Sequence, residues 1–293
     1  MKRSDVLCVV VLWLVGVSSV SAGEDAGPWL LKMPDHGYLS TEPPTKWEEG
    51  LLTGNGTLGA LAMGDPWKER IILSHEKVFL PKNPPTMAPD LGGNLERFRE
   101  LILAGKAREA ALLTAEVGKE AGIDCMVWTN PFVPACQMEI EGLNTSPCDT
   151  YCRSVDYETG EAITAWTTGK GQFRRSVFAS RNDGILVTRF SSSSGARSDF
   201  RIRLAQLPAG NEKRQAMIDG LIEKLNSSVT KDGVKFTTHF QKKWKGSLKG
   251  YTVETRIVEC DGSVRVEGDW LCLKNCSRWR LHTDISLSHE LPV

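Results

Sequence analysis

The sequence predicts a mainly β protein, an antiparallel β-sandwich with a short helical insertion at about residues 95–120. Two observations predict this class. Short apolar or alternating segments recur along the chain, and turn-forming Asn, Asp and Gly residues separate them. One block of helical periodicity interrupts them, whereas a parallel α/β fold would alternate helices with strands throughout.

The first residues are typical of a secretory signal peptide. Lys2 and Arg3 precede an apolar run at residues 6–17, and small residues follow up to Ala22. We therefore expect a signal peptide at residues 1–22, a single β domain at residues 23–293, and a secreted, extracellular protein. The run is short for a bilayer span, and no later stretch is apolar enough to suggest a membrane contact.

The segment from residue 29 to residue 73 predicts short strands broken by turns, among them 58–63 and 70–73. Gly54-Asn55-Gly56 predicts a tight turn between two of them, because Gly and Asn tolerate positive φ. Trp47 lies beside two glutamates, a combination that can stack on and hydrogen-bond to a sugar. Its size and apolarity favour a place in the core instead.

A stripe with a 3.6-residue period begins at Leu95, and an alanine-rich helical pattern covers residues 107–119. We expect two short helices, joined at Gly105, that pack on a sheet. The chain then returns to strands, with one more helix expected at 211–225. The strands are expected at 138–140, 172–178, 185–190, 200–204, 234–240, 251–258 and 264–267.

Composition and motifs argue against several classes of function. The chain has 36 basic and 36 acidic residues, so it lacks the positive surplus that nucleic-acid binding draws on. It carries no phosphate loop, no dinucleotide fingerprint and no His-Glu-x-x-His motif, and its five histidines are scattered singly. We expect no cofactor, no metal site and no nucleic-acid partner.

Seven cysteines follow the signal peptide, and an oxidising compartment would favour pairing. Disulfides are favoured over zinc, because zinc sites usually add histidines or Cys-x-x-Cys pairs. Bridges 125–136 and 148–152 join sequence neighbours, but the connectivity stays open. The candidates are Cys125, Cys136, Cys148, Cys152, Cys260, Cys272 and Cys276.

Asn-x-Ser/Thr sequons support secretion. We expect glycans at Asn144, Asn226 and Asn275, with Asn226 in a polar turn. Asn55 also begins a sequon, but its place between two glycines indicates a structural turn.

Four motifs together resemble glycoside hydrolase family 95. The first runs from Trp47 through Gly54-Asn55-Gly56-Thr57-Leu58-Gly59-Ala60 to Met63-Gly64. Glu69-Arg70-Ile71-Ile72-Leu73 follows, then the helical segment, then a strand pair at 172–189 that includes Arg175. They occur in the order in which that family has them.

This resemblance implies an N-terminal β-supersandwich of an inverting α-L-fucosidase. The family's catalytic groups lie on an (α/α)₆ barrel that follows this domain, and that barrel is absent from the present sequence. We therefore assign no catalytic residue. The resemblance implies fucosylated glycans and a barrel encoded downstream as partners, with Trp47, Gly54, Asn55 and Gly56 nearest the pocket.

Three hypotheses about function follow. In the first, the chain is the non-catalytic N-terminal domain of a secreted α-L-fucosidase, inactive alone. In the second, it is a stand-alone secreted carbohydrate-binding module. In the third, it is a small active hydrolase in its own right.

Overall fold

The computed structural model describes residues 33–84, 89–123, 129–193, 195–242 and 244–289. These residues form two antiparallel sheets with three short α-helices. The predicted fold class is therefore confirmed, and an (α/α)₆ barrel is not among the residues described. The predicted signal peptide and the strand expected near residue 29 lie outside them.

The larger sheet has nine strands, and neighbouring strands in it pair antiparallel. The last strand of the described residues lies inside this sheet rather than at its edge. The spatial order is β1 (Gly37–Ser40), β6 (Thr150–Asp156), β7 (Glu161–Thr168), β8 (Gly171–Ala179), β9 (Leu186–Ser192), β16 (Arg278–His289), β13 (Leu248–Cys260), β12 (Gly233–Phe240) and β11 (Ile222–Thr230).

The smaller sheet has seven strands and faces the larger one. Its spatial order is β14 (Ser263–Glu267), β15 (Trp270–Cys276), β10 (Ser198–Ala205), β5 (Cys136–Leu143), β4 (Lys68–His75), β3 (Leu58–Ala62) and β2 (Leu51–Gly54).

The core lies between the sheets, because each strand turns alternate side chains inward. On β5, Met138 and Ile140 are fully buried, whereas Glu139 and Glu141, which alternate with them, are partly exposed. An aromatic cluster fills the centre, and Phe190 of one sheet lies 4.5 Å from Phe200 of the other between ring centroids. Each such buried side chain contributes about 1.5–3 kcal/mol to stability.

The helical insertion is confirmed as α1 (Leu95–Leu103) and α2 (Ala107–Glu120), with Gly105 at φ 74° between them. The later helix is shorter than predicted. As α3, it covers Glu212–Asp219 and starts where the Asn211 side chain accepts a hydrogen bond from the Arg214 amide.

The last four residues of that predicted helix, 222–225, belong to strand β11, so the prediction was wrong there. This edge strand is polar and almost wholly exposed, and so gives no apolar alternation. Five further strands, β1, β6, β7, β15 and β16, were not predicted individually from the sequence. Strand β16 does show the alternation of a half-buried strand, because Trp279, Leu281 and Ile285 are buried. Within the described ranges, no helix is both long and apolar enough to span a membrane.

Candidate functional site

The motif residues of β4 and β8 meet in a buried polar cluster between the two sheets. Glu69 and Arg175 are each 1% exposed. The Arg175 guanidinium donates a hydrogen bond to the Glu69 carboxylate and another to the Asp65 carbonyl, at 2.6 Å. The Gly64 amide donates to Glu69 Oε1 at 2.9 Å. Because β4 and β8 belong to different sheets, this ion pair ties the sandwich together.

The cluster explains why glycine follows Met63. Gly64 has φ 83°, and a Cβ there would come within 3.1 Å of the Arg153 Cδ. The Gly64 carbonyl also accepts a hydrogen bond from the Tyr151 hydroxyl at 2.7 Å. A side chain at this position would strain the backbone and crowd both neighbours.

Glu69 is the one acidic side chain that is buried in the described part of the chain. Burial raises the pKa of Glu69, while the Arg175 charge and the Gly64 amide oppose that rise. A glycosidase acid also has a raised pKa, but it must reach the glycosidic oxygen. The Glu69 carboxylate is enclosed and bound to its partners, so its role is structural.

The Gly54-Asn55-Gly56 segment forms the predicted turn, between β2 and β3. Asn55 Oδ1 accepts hydrogen bonds from the Thr57 and Leu58 amides at 3.0 and 2.8 Å. Asn55 Nδ2 donates to the Ser180 carbonyl, which follows β8, at 2.8 Å. Gly56 takes φ 98°. This side chain thus closes its own turn and links the two sheets.

The same end of the sandwich carries two exposed phenylalanines. The Glu76 amide donates to the Thr57 carbonyl, so the chain leaving β4 runs beside the Asn55 turn. A few residues on, Phe79 and Phe132 are 42% and 52% exposed, and their ring centroids are 5.1 Å apart.

Strand β16 finishes at this end as well. The last residue of β16, His289, pairs with Leu248 of β13. Three residues further along β13, the Tyr251 hydroxyl donates a hydrogen bond to the carbonyl of Ala135 at 2.6 Å. Ala135 follows Phe132 by three residues, so the end of β16 lies near the phenylalanine pair. We call the surface formed by Asn55, Phe79, Phe132 and His289 the turn end.

Trp47 lies elsewhere, at the start of β2, whereas Asn55 follows the end of that strand. The two segments therefore lie at opposite ends of a four-residue strand, and their place nearest a pocket stays a prediction. Trp47 is 63% exposed, so its assignment to the core was wrong. It lies in a 3₁₀ turn (Trp47–Glu49), and Glu49 Oε2 accepts a hydrogen bond from the Thr45 amide at 2.7 Å.

Two further exposed aromatic residues lie on edge strand β1 and just after its neighbour β6. Tyr38 on edge strand β1 is 45% exposed, and Tyr157, whose amide donates to the His36 carbonyl, is 68% exposed. Arg153 of β6 joins these strands to the Trp47 turn by donating to the Glu42 and Glu49 carbonyls. We call Tyr38, Trp47 and Tyr157 the aromatic edge.

The sequence model of the glycosyl hydrolase family 65 N-terminal domain matches residues 39–287, which include both sheets and the buried cluster. The chain belongs to this family. The expected resemblance to family 95 is therefore shown only in its coarser form, an N-terminal β domain of glycoside hydrolases.

Two similar proteins illustrate what share of a longer chain this domain covers. Alpha-L-fucosidase 2 of Arabidopsis thaliana is 24% identical over 164 residues, covering 55% of this chain and 18% of that protein. A solved structure, a putative kojibiose phosphorylase from human microbiome, is 12% identical with a TM-score of 0.45 and covers 88% of this chain and 34% of that one. The present chain thus spans a minor part of each.

The three glycosylation candidates of this family 65 N-terminal domain are all exposed. Asn144 and Asn275 take φ 55° at strand ends. Asn226 lies within β11, paired with Thr237, so its expected place in a turn was wrong. Glycan attachment at these positions stays a prediction.

The six described cysteines are free thiols, and Cys125 lies outside the described residues. Cys148 is exposed, whereas Cys136, Cys152, Cys272 and Cys276 are buried. In the described part of the domain, no group of three or more His, Cys, Asp or Glu is placed to hold a metal ion.

Sequence reasoning missed both the Glu69–Arg175 ion pair and the Phe79–Phe132 pair. Glu69 and Arg175 are 106 positions apart, so no local pattern joins them. Phe132 lies between short loop segments, where no periodicity marks a surface aromatic residue. Both pairs become visible only when the folded structure brings their members together.

Proposed function

We propose that this domain is the N-terminal accessory domain of a secreted glycosidase that removes fucose from fucosylated glycans. Its partner is a catalytic domain, and the turn end makes the contact. The observation that carries this proposal is the exposed Phe79–Phe132 pair beside the end of β16. Paired exposed aromatic residues are typical of the centre of an interface, where they become buried.

The fucose preference rests on the sequence. Four motifs resemble family 95 in order, and alpha-L-fucosidase 2 is a distant relative. The buried cluster gives these motifs a structural role, so they support common ancestry rather than catalysis by this chain. Catalysis is assigned to the partner domain.

The test replaces both turn-end aromatic residues in the native, full-length protein. The double substitution Phe79→Ser and Phe132→Ser should lower fucose release from fucosylated oligosaccharides, because the catalytic domain loses its packing surface. Val258→Ser is the matched control, since the exposed fraction of Val258, 46%, lies between those of the two phenylalanines, but Val258 is two residues before the end of β13, away from the turn end. Circular dichroism checks that each variant retains its β structure.

Two outcomes would overturn the proposal. The native protein can be purified with an antibody against this domain. If that preparation releases no fucose, the fucosidase assignment is wrong. Phosphorolysis of a disaccharide by the same preparation would indicate the phosphorylase branch of the group instead. Full activity of the double variant would show that the turn end is not the contact.

The aromatic edge favours a second candidate, a carbohydrate-binding module. Tyr38, Trp47 and Tyr157 are 45%, 63% and 68% exposed, and exposed aromatic rings can stack on sugar rings. On a glycan array, Trp47→Ala should abolish fucose-dependent binding by the isolated chain, whereas Phe79→Ser should not. Absence of binding by the unsubstituted chain would exclude this candidate.

Secretion and glycosylation are part of the proposal. Expression of the full coding sequence in a secreting eukaryotic cell should place the protein in the medium, cleaved after Ala22. Peptide mass spectrometry should find glycans at Asn144, Asn226 and Asn275 and none at Asn55, whose amide nitrogen is already bound to the Ser180 carbonyl. Retention of the protein in the cytosol would contradict this part.

A further inference from the structure

Two cysteines from different sheets meet at the end of the sandwich opposite to the turn end. Cys260 is the last residue of β13 in the nine-stranded sheet, and Cys276 is the last residue of β15 in the seven-stranded sheet. Their Sγ atoms are 3.3 Å apart. A disulfide has its sulfur atoms about 2.05 Å apart, so a small side-chain movement would bring these two into bonding distance.

We propose that Cys260 and Cys276 form a disulfide that links the two sheets covalently. The surrounding contacts hold both strand ends in place. Asp261 accepts hydrogen bonds from the Ser277 amide and hydroxyl, at 2.9 and 2.5 Å. Arg197 donates to the Asn275 and Asp261 carbonyls at 2.8 and 3.0 Å. The residues next to each cysteine are therefore already bound to one another.

The two thiols differ in a way that suits stepwise oxidation. Cys260 is partly exposed, whereas Cys276 is fully buried. The hydrogen bond with Cys276 lowers the pKa of Cys260 to about 7, and the same contact raises the pKa of Cys276. Cys260 is thus the accessible thiolate, and thiolates are the attacking species in disulfide exchange.

The oxidant is an external disulfide, from an oxidoreductase or a small thiol compound. The Cys260 thiolate attacks one oxidant sulfur, forming a mixed disulfide and releasing one thiolate. Cys276 then loses its proton to solvent and attacks the Cys260 sulfur, which releases the second oxidant thiolate. The protein loses two electrons and two protons, and the oxidant disulfide gains the two electrons. Secretion, part of the proposed function, would supply this oxidising environment.

The test treats the purified full-length chain with oxidised glutathione and maps its peptides without reduction. We expect one cross-linked pair that contains Cys260 and Cys276 and weighs two hydrogen atoms less than the separate peptides. The link closes a loop of about 16 residues, so reduction should lower the melting temperature by about 5–10 °C. Because the oxidant is added, this result does not depend on where the protein resides.

Cys260→Ser is the diagnostic variant, because Cys260 is partly exposed and its replacement should leave the core intact. It should lose both the cross-linked peptide and the melting shift on reduction. Cys272→Ser is the matched control, since Cys272 lies in the same strand as Cys276, and it should keep both. Free thiols at both positions after oxidation, or a link from Cys276 to another cysteine, would overturn the proposal.

Discussion

Single polar side chains determine how the strands of this domain join. Asn55 satisfies two amides of its own turn and one carbonyl after β8. The side-chain amide of Asn55 thus provides hydrogen-bond partners for backbone groups that have no backbone partner in a tight turn. The Gly-Asn-Gly motif is explained by this geometry without a substrate.

Asn55→Ala should therefore destabilise the domain. The substitution leaves two amides and the Ser180 carbonyl without their partner, at a cost of about 1–3 kcal/mol in the free energy of unfolding. Asn226→Ala makes the same chemical change on an exposed edge strand and should cost no more than about 0.5 kcal/mol. Urea unfolding measures both, and equal losses would refute the assigned role of Asn55.

The elements show how far local pattern predicts this fold. Strands such as β5 and β10, with one face in the core, are visible as alternation. Strand β11 is not, because nearly all of its side chains are exposed. Alternation also cannot tell to which of the two sheets a strand belongs, since either sheet would bury the same face. The turn at Asn55 could be predicted from its two flanking glycines. The exposure of Trp47 could not, because it depends on which distant segments pack beside it.

The helix pair packs unevenly. In α2, Ala110, Leu113 and Gly118 are buried, whereas α1 has no buried residue and Leu103 at its end is 87% exposed. The pair is therefore anchored through α2.

Leu113→Ala should loosen this anchor, at a cost of about 2–3 kcal/mol in local stability. Amide hydrogen exchange across α2 should accelerate accordingly. Leu103→Ala provides the same substitution at an exposed position and should leave exchange unchanged. Faster exchange in the Leu103 variant alone would contradict this packing.

At the scale of the whole molecule, the two sheets are held by their shared apolar core and by a few polar links across it. Among the ion pairs of the described residues, Glu69–Arg175 is the one whose two side chains are both buried. Breaking a buried pair by removing one partner leaves an uncompensated charge, whereas replacing both partners with apolar residues need not destabilise the protein.

Arg175→Met or Glu69→Leu alone should each cost about 3–5 kcal/mol in unfolding free energy. The double variant Glu69→Leu with Arg175→Met should recover much of that loss, because no buried charge remains. Arg256→Met, which breaks an exposed pair with Glu254, should cause no measurable loss. Thermal and urea unfolding of the four proteins checks these expectations, and additive single losses would contradict the coupling.

The position of β16 has a consequence for how the protein is made. This strand, at Arg278–His289, lies between β9 and β13, so it joins two groups of strands that are otherwise separate in the nine-stranded sheet. A ribosome produces it after both neighbours. Until residue 289 has left the exit tunnel, β9 and β13 each present an unpaired edge, which is a site for mispairing. We therefore expect refolding of a chain truncated before β16 to give more aggregation than refolding of the whole domain.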